Sequence, residues 1–138
     1  MSGVVRITPI ALLLLSGADA ILTLSCDGTV TKSIWDSDNN ISKEREPVTN
    51  MSLVADLSGG AVTGFLHPAR VTKVDANYVR FSGSTHGELA GTWSVNGSIN
   101  RITGGVVAVT IRLDPTIPDK LSHLQEWNLA CKPVKRLL

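Results

Sequence analysis

Two cysteines lie at the same phase of two alternating stretches near opposite ends of the chain. Cys26 follows Leu22 and Leu24 at a spacing of two residues, and Cys131 closes an equivalent run that contains Trp127. Alternation of apolar and polar residues with period two is typical of a half-buried β-strand. If both stretches are strands, their thiols point to one face. A Cys26–Cys131 disulfide would then hold the two ends of the folded chain side by side.

The first twenty residues have the three parts of a secretory signal peptide. Arg6 supplies the positive charge, residues 7–15 form a short apolar run, and residues 18–20 have the small-x-small pattern of a cleavage site. The run is shorter than the roughly 20 apolar residues of a membrane-spanning helix. We expect a signal peptide over residues 1–20, a single domain over residues 21–138, and export to the periplasm or the medium. A buried N-terminal helix or strand is the alternative.

Export and an even number of cysteines support each other. Disulfides persist in oxidising compartments and are rare in the cytosol, and two cysteines in an exported chain favour one bridge. Lipidation of Cys26 is an alternative use of that residue. The preceding Thr23-Leu24-Ser25 is a poor lipobox, however, and Cys131 would then have no partner. We therefore expect an oxidised pair and no lipid anchor.

Eight short runs after the leader carry the signals of β-strands. They cover about residues 22–34, 51–57, 61–66, 69–74, 78–82, 92–99, 106–113 and 124–132. Short turns separate most of them, so an antiparallel up-and-down meander is the simplest topology. A flat sheet would leave two open edges, which closure removes. We predict an all-β fold in which about eight strands close into a small barrel of lipocalin- or avidin-like architecture, with an open β-sandwich as the alternative.

The cysteines also predict the register at the seam where the barrel closes. Setting them opposite each other brings Gly28 against Leu129 and Val30 against Trp127, so apolar positions face apolar positions. Lys32 is the single polar exception on the inward phase of the first strand. The seam is therefore expected to pack as part of the core.

Apolar residues predict the inward phase of the other strands. Phe81 is expected to point inward from the fifth strand and Trp93 from the sixth. In the seventh strand the residues expected inward are Val107, Val109, Ile111 and Leu113, and the other face carries Val106, Ala108, Thr110 and Arg112. The polar stretch from Asp36 to Pro47 has no apolar periodicity and predicts an exposed loop. Residues 119–123 predict one helical turn before the last strand.

No residue pattern indicates catalysis. His67, His86 and His123 fall in three separate predicted loops, without the paired spacing of a zinc site. No serine stands in a Gly-x-Ser-x-Gly elbow, and the carboxylates fall mostly at strand ends and turns. We expect no catalytic residue, no metal and no cofactor. A formal net charge of +1 gives no basis for nucleic-acid binding, which requires a clustered basic surface.

Four aromatic residues are the candidate ligand-binding residues. Trp93, Phe81 and Trp127 share the inward phase, and Trp35 lies beside the polar stretch. Inward aromatic residues most often serve the core, but small eight-stranded barrels can also hold one ligand. The first hypothesis is a monomeric binding protein for a small apolar ligand or lipid. The second is a protein-interaction or inhibitor module that uses residues 36–47, and the third is an enzyme of unknown class.

Three Asn-x-Ser sequons begin at Asn40, Asn50 and Asn96. They would be glycosylation sites only in a eukaryotic secretory pathway. We interpret them as chance triplets in a chain rich in asparagine and serine.

Two resemblances accompany these features. The segment Gly91-Thr92-Trp93 resembles the Gly-Thr-Trp opening of avidin-type barrels, although it lies in mid-chain, so no biotin-binding role is carried over. Most of residues 21–138 is similar to small uncharacterised secreted proteins of Gram-negative bacteria. The shared features are the Leu-x-Leu-x-Cys start, the hairpin at residues 97–104 and the Asn-Leu-Ala-Cys-Lys-Pro ending. That resemblance implies a periplasmic or secreted location and no activity.

Reduction of the disulfide should lower the melting temperature markedly. A bridge between the two cysteines closes a loop of about a hundred residues and is worth roughly 4–5 kcal/mol in the chain-entropy model. The total stability of such a domain is about 5–15 kcal/mol. We expect reducing agent to lower the calorimetric melting temperature by more than about 10 °C. An unchanged melt, with two titratable thiols in the untreated protein, would contradict the bridge.

Overall fold

A computed structural model describes residues 21–36, 38, 40–87, 91–113 and 121–134. The signal peptide expected over residues 1–20 lies outside these residues. The described chain consists of β-strands joined by turns. In chain order the strands are β1 (Ile21–Trp35), β2 (Ile41–Asp56), β3 (Ala61–Thr63), β4 (Ala69–Val74), β5 (Tyr78–Gly87), β6 (Gly91–Asn100), β7 (Gly105–Leu113) and β8 (Leu121–Pro133).

The eight strands close into a barrel. Each strand pairs antiparallel with the next, and β8 returns to pair with β1. The predicted all-β meander and its closure are therefore confirmed. Cys26 and Cys131 are register partners and form a disulfide, which is consistent with an oxidising, exported location. Gly28 faces Leu129 as predicted, and the backbones approach so closely that a Cβ on Gly28 would lie 2.8 Å from the Leu129 Cα.

The interior of the barrel can be followed as layers, because register partners on neighbouring strands point to the same face. We call the end that carries the disulfide the lower end. The layer above the disulfide consists of Gly28, Leu129, Val106, Ile99 and Val79. The next layer consists of Val30, Trp127, Ala108, Gly97 and Phe81. Apart from the two glycines and Trp127, all of these residues are buried, so the lower half is a packed apolar core.

The expected phase of the seventh strand is wrong. Val106 and Ala108 are buried, with 0% and 4% exposure, whereas Val107 and Val109 are exposed by 55% and 38%. Ile111 shares the outward phase with these exposed valines. The outer face of β7 is thus apolar but solvated.

The turn between β6 and β7 is the reason for this phase. It pairs Ile99 with Val106 and Gly97 with Ala108, so the inward residues of β6 determine the inward residues of β7. Space for side chains is also limited in the layer that contains Gly97 and Ala108. A Cβ on Gly97 would lie 2.9 Å from the Ala108 Cβ and would also collide with the Phe81 ring. A small residue therefore suits the position opposite Gly97.

The loop expected over residues 36–47 is wrong for residues 41–47. Residues 41–47 belong to β2 and pair with the upper half of β1. Most of their side chains are exposed, so the backbone ladder rather than apolar burial holds them. Between β1 and β2, Asp36 Oδ1 accepts the backbone N–H groups of Asp38 and Asn40 at 2.8 and 2.9 Å. This is the Asx chemistry typical of tight turns.

A β-bulge determines which residues of β2 face the interior. Opposite Asp27 the register shifts, so that two residues of β2, Thr49 and Asn50, oppose one residue of β1. Asp27 Oδ1 accepts the N–H of Asn50 at 2.9 Å, and Asn50 has a φ of 53°. Below the bulge odd-numbered residues such as Leu53 point inward. Above it the inward phase changes to even-numbered residues such as Glu46.

Other strand boundaries differ from the sequence prediction. β8 begins at Leu121, so strand replaces the end of the expected helical turn and includes His123. β5 continues to Gly87, which places His86 in a strand as well. β3 has only three residues, and His67 lies in the bend that follows it.

A matched pair of Val→Thr substitutions tests the phase of β7. Threonine keeps the shape and β-propensity of valine but adds a hydroxyl. Val106→Thr should lower the free energy of unfolding by about 1–3 kcal/mol because it buries that hydroxyl. Val107→Thr should change it by less than about 0.5 kcal/mol. Urea unfolding of both variants measures the difference. A larger loss of unfolding free energy for Val107→Thr would show that Val107, and not Val106, faces the interior.

Candidate functional site

The upper half of the barrel contains a cavity of about 600 Å³, which we call the cup. It lies above the layer that contains Val30 and Phe81. Its walls come from β1, β2, β6, β7 and β8 and from the residues that follow β3. A cavity of this size falls within the range of small-molecule binding sites.

The floor of the cup is apolar and aromatic. Phe65 is 3% exposed and lies between two other rings. Its centroid is 5.5 Å from that of Trp127 in an edge-on arrangement and 5.8 Å from that of Phe81 in a stacked one. Val30 and Val48 complete this surface on the β1–β2 side. The floor is therefore an apolar platform that is continuous with the core below.

A polar layer crosses the wall of the cup above this floor. Lys32, Gln125 and Thr110 are successive register partners on β1, β8 and β7. The bulge in β2 brings Glu46 to the same side, and Lys32 Nζ lies 3.2 and 3.4 Å from its two carboxylate oxygens. These side chains are 32% and 41% exposed. An ion pair this accessible contributes at most about 1 kcal/mol to folding, so its partners can exchange at little cost.

A short hydrogen-bond relay links the floor to the polar layer. The indole N–H of Trp127 donates to Thr110 Oγ1 at 3.2 Å, and the Thr110 hydroxyl donates to Gln125 Oε1 at 2.9 Å. Thr110 is only 6% exposed. The relay satisfies a buried hydroxyl and fixes the orientation of the Gln125 amide.

The layer above carries the rim of the cup. Its register partners are Ile34, His123, Arg112 and Trp93. The Arg112 guanidinium carbon lies 5.5 Å from the Trp93 ring centroid, a cation–π distance. Burial lowers the pKa of His123 below its ordinary 6.5, and the positive charge of Arg112 lowers it further.

The cup meets solvent on the side of β2. The pairing of β2 with β3 covers residues 54–56, and above that level the segment from Gly64 onward takes the place of a strand. Pro47 and Leu66 line the cup from the two sides of this gap. Leu66 is 71% exposed. A ligand could therefore enter between β2 and this segment.

A wider depression of about 770 Å³ lies on the outer face of the sheet. It is lined by residues of β1, β2 and β4 to β8, many of them with outward side chains such as Thr29, Val107 and Asn128. The cup is the better candidate because its walls surround a ligand on several sides.

The four aromatic residues proposed from the sequence lie in three different environments. Trp93 and Trp127 line the cup. Phe81 is 2% exposed and belongs to the packed layer beneath it. Trp35 ends β1 opposite Ile41, away from the cup lining. The structure thus brings two of the four together.

Several cup residues were not identified from the sequence. Phe65 follows the short third strand, where no periodic pattern predicts its direction. The alternation of the seventh strand predicts an outward Thr110, and the polar stretch over residues 36–47 predicts that Glu46 lies in an exposed loop. Gln125 shares the inward phase of Trp127, and Lys32 is the polar exception on the inward phase of the first strand. Those two signals could have indicated a polar layer.

Neither a metal site nor a membrane-spanning helix is found among the described residues. Among the described residues no three His, Cys, Asp or Glu side chains converge as a metal site would require. Within the same part of the chain, no helix has the length and hydropathy needed to cross a bilayer.

The sequence matches no protein family, no curated protein and no solved structure. The site must therefore be interpreted from its own geometry.

Proposed function

We propose that this chain is an exported, monomeric, non-enzymatic binding protein that holds a small apolar ligand or lipid in the cup. It would act in the periplasm or outside the cell, where its disulfide persists. The observation that carries the proposal is the cavity of about 600 Å³ with an aromatic floor and few polar groups. Pockets of that character are the usual binding sites of small barrels.

The free energy gained by burying an apolar chain is large enough to support such binding. Burial of a methylene group contributes about 0.8 kcal/mol. A chain of about ten methylenes would therefore gain roughly 8 kcal/mol, part of which offsets the loss of translational and rotational freedom. Phe65 belongs to the hydrophobic core, Trp127 packs against it, and Val30 is 3% exposed, so the floor is in place before a ligand binds.

A second candidate function is protein interaction through β2. Residues 41–47 of the stretch on which that hypothesis depends belong to β2, and among the described residues this upper part of β2 pairs on its β1 side alone. An extended partner segment could add to the other edge. The charges of residues 43–46 and the proline at position 47 are features that discourage strand addition, which makes this the second candidate.

A cup-filling substitution tests the proposed function. Val48→Phe places a ring into the cup, whereas Val107→Phe makes the same change on the exposed outer face of β7. The probe is N-phenylnaphthylamine, a neutral fluorophore whose emission rises in apolar sites. We expect the wild type and Val107→Phe to bind it equally and Val48→Phe to bind it at least about tenfold more weakly, a loss of about 1.4 kcal/mol.

Thermal melts of both variants provide the control for folding. Equal binding by all three proteins would place the probe outside the cup. If the wild type binds neither this probe nor long-chain alcohols, the proposal of a ligand-binding barrel is contradicted.

A further inference from the structure

We infer that the natural ligand of the cup carries a carboxylate head group on an apolar chain, and that Lys32 and Gln125 bind that head group. The inference rests on the proposed function, because it concerns the same cavity. It adds the class of ligand and its orientation, with the chain on the aromatic floor and the head group in the polar layer.

The direction of the hydrogen-bond relay is the first step. An indole N–H can only donate, so Thr110 Oγ1 must accept from Trp127. The single proton of Thr110 is then directed to Gln125, whose contacting atom is the amide oxygen. The amide NH₂ of Gln125 consequently points away from Thr110. Among the described residues it has no hydrogen-bond acceptor.

Lys32 supplies the second group of donors. It is the register partner of Gln125 on the adjoining strand, so the two side chains rise from neighbouring positions on one face. An ammonium group has three donors, and within the described chain its partner is Glu46. The cup therefore presents donors from two adjacent strands.

The balance of donors and acceptors selects the head group. The relay uses the oxygens of Thr110 and Gln125, and the Glu46 oxygens face Lys32. A ligand that offers oxygen acceptors finds two donor groups. A ligand that offers N–H or O–H groups finds acceptors that already receive a hydrogen bond, from Thr110 at Gln125 Oε1 and from Lys32 at Glu46.

Charge favours a carboxylate over a neutral acceptor. Two oxygens in one plane can accept from Lys32 and Gln125 together, and charge-assisted hydrogen bonds are roughly twice as strong as neutral ones. Glu46 is the internal anion that such a ligand displaces. Its side chain is 41% exposed, so once displaced it can be solvated through the opening beside Pro47.

Calorimetric titration with two chain-matched probes, decanoate and decanol at neutral pH, tests the inference. The wild type should bind decanoate at least about tenfold more tightly than decanol. Lys32→Met should lower the affinity for decanoate by about tenfold and leave that for decanol within about threefold. Lys132→Met, on the outer face of β8, is the matched control and should change neither affinity.

Glu46→Gln distinguishes a Lys32 that binds the ligand from a Lys32 that only forms a structural ion pair with Glu46. Removal of the competing anion should raise the affinity for decanoate by about threefold or more, whereas loss of a structural ion pair would lower it. Gln125→Leu should weaken decanoate binding alone, and it supports the test independently if Lys32→Met does not fold.

The outcomes separate the two proposals. Equal affinity of the wild type for decanoate and decanol, or tighter binding of decanol, would overturn the head-group inference and leave the cup as a binding site. A decanoate affinity that falls in Glu46→Gln would also overturn it. Failure of both probes to bind would contradict the proposed function itself.

Discussion

The pairing of β1 with β8 is the interaction on which the rest of the structure depends. It turns a meander with two open edges into a closed barrel, and the Cys26–Cys131 bridge holds it at the lower end. Without this pairing the chain would still have hairpins, but it would enclose no interior. The seam also creates the polar layer of the cup, because it sets Lys32 beside Gln125. Closure therefore serves both stability and the candidate site.

The interior changes character from the lower end to the upper end. The layers above the disulfide are apolar, with Phe81 and Ile99 almost wholly buried. The upper layers carry Lys32 and Thr110 and are partly open to solvent. Burial of apolar surface contributes most of the stability of a domain, so the lower layers can support a cavity and hydrated charges above them. This division explains how a short chain can fold and still keep a cavity.

Much of the fold could be predicted because the cysteines and the alternating apolar residues agree. The register of Gly28 with Leu129 and of Val30 with Trp127 follows from them and is confirmed. The phase of β7 could also have been predicted. A four-residue turn over 101–104 pairs Ile99 with a residue whose phase is then fixed, since loop length determines hairpin register.

The polar side of the cup was harder to predict. Glu46 faces inward only because the bulge at Asn50 changes the phase of β2, and no period-two pattern contains an extra residue. The strand over residues 41–47 was missed because its ladder with β1, rather than apolar burial, holds it. Phe65 lies outside any strand, so alternation cannot give its direction. Such residues depend on tertiary geometry.

A crystal structure of the protein with decanoate would test the central claim most directly, namely that the upper barrel is a cup for an apolar chain with an acidic head group. We predict electron density for the chain over Phe65 and Trp127, with the carboxylate within hydrogen-bond distance of Lys32 Nζ and Gln125 Nε2. Density for decanoate on the outer waist of the barrel, or a cup closed by its own side chains, would contradict that claim.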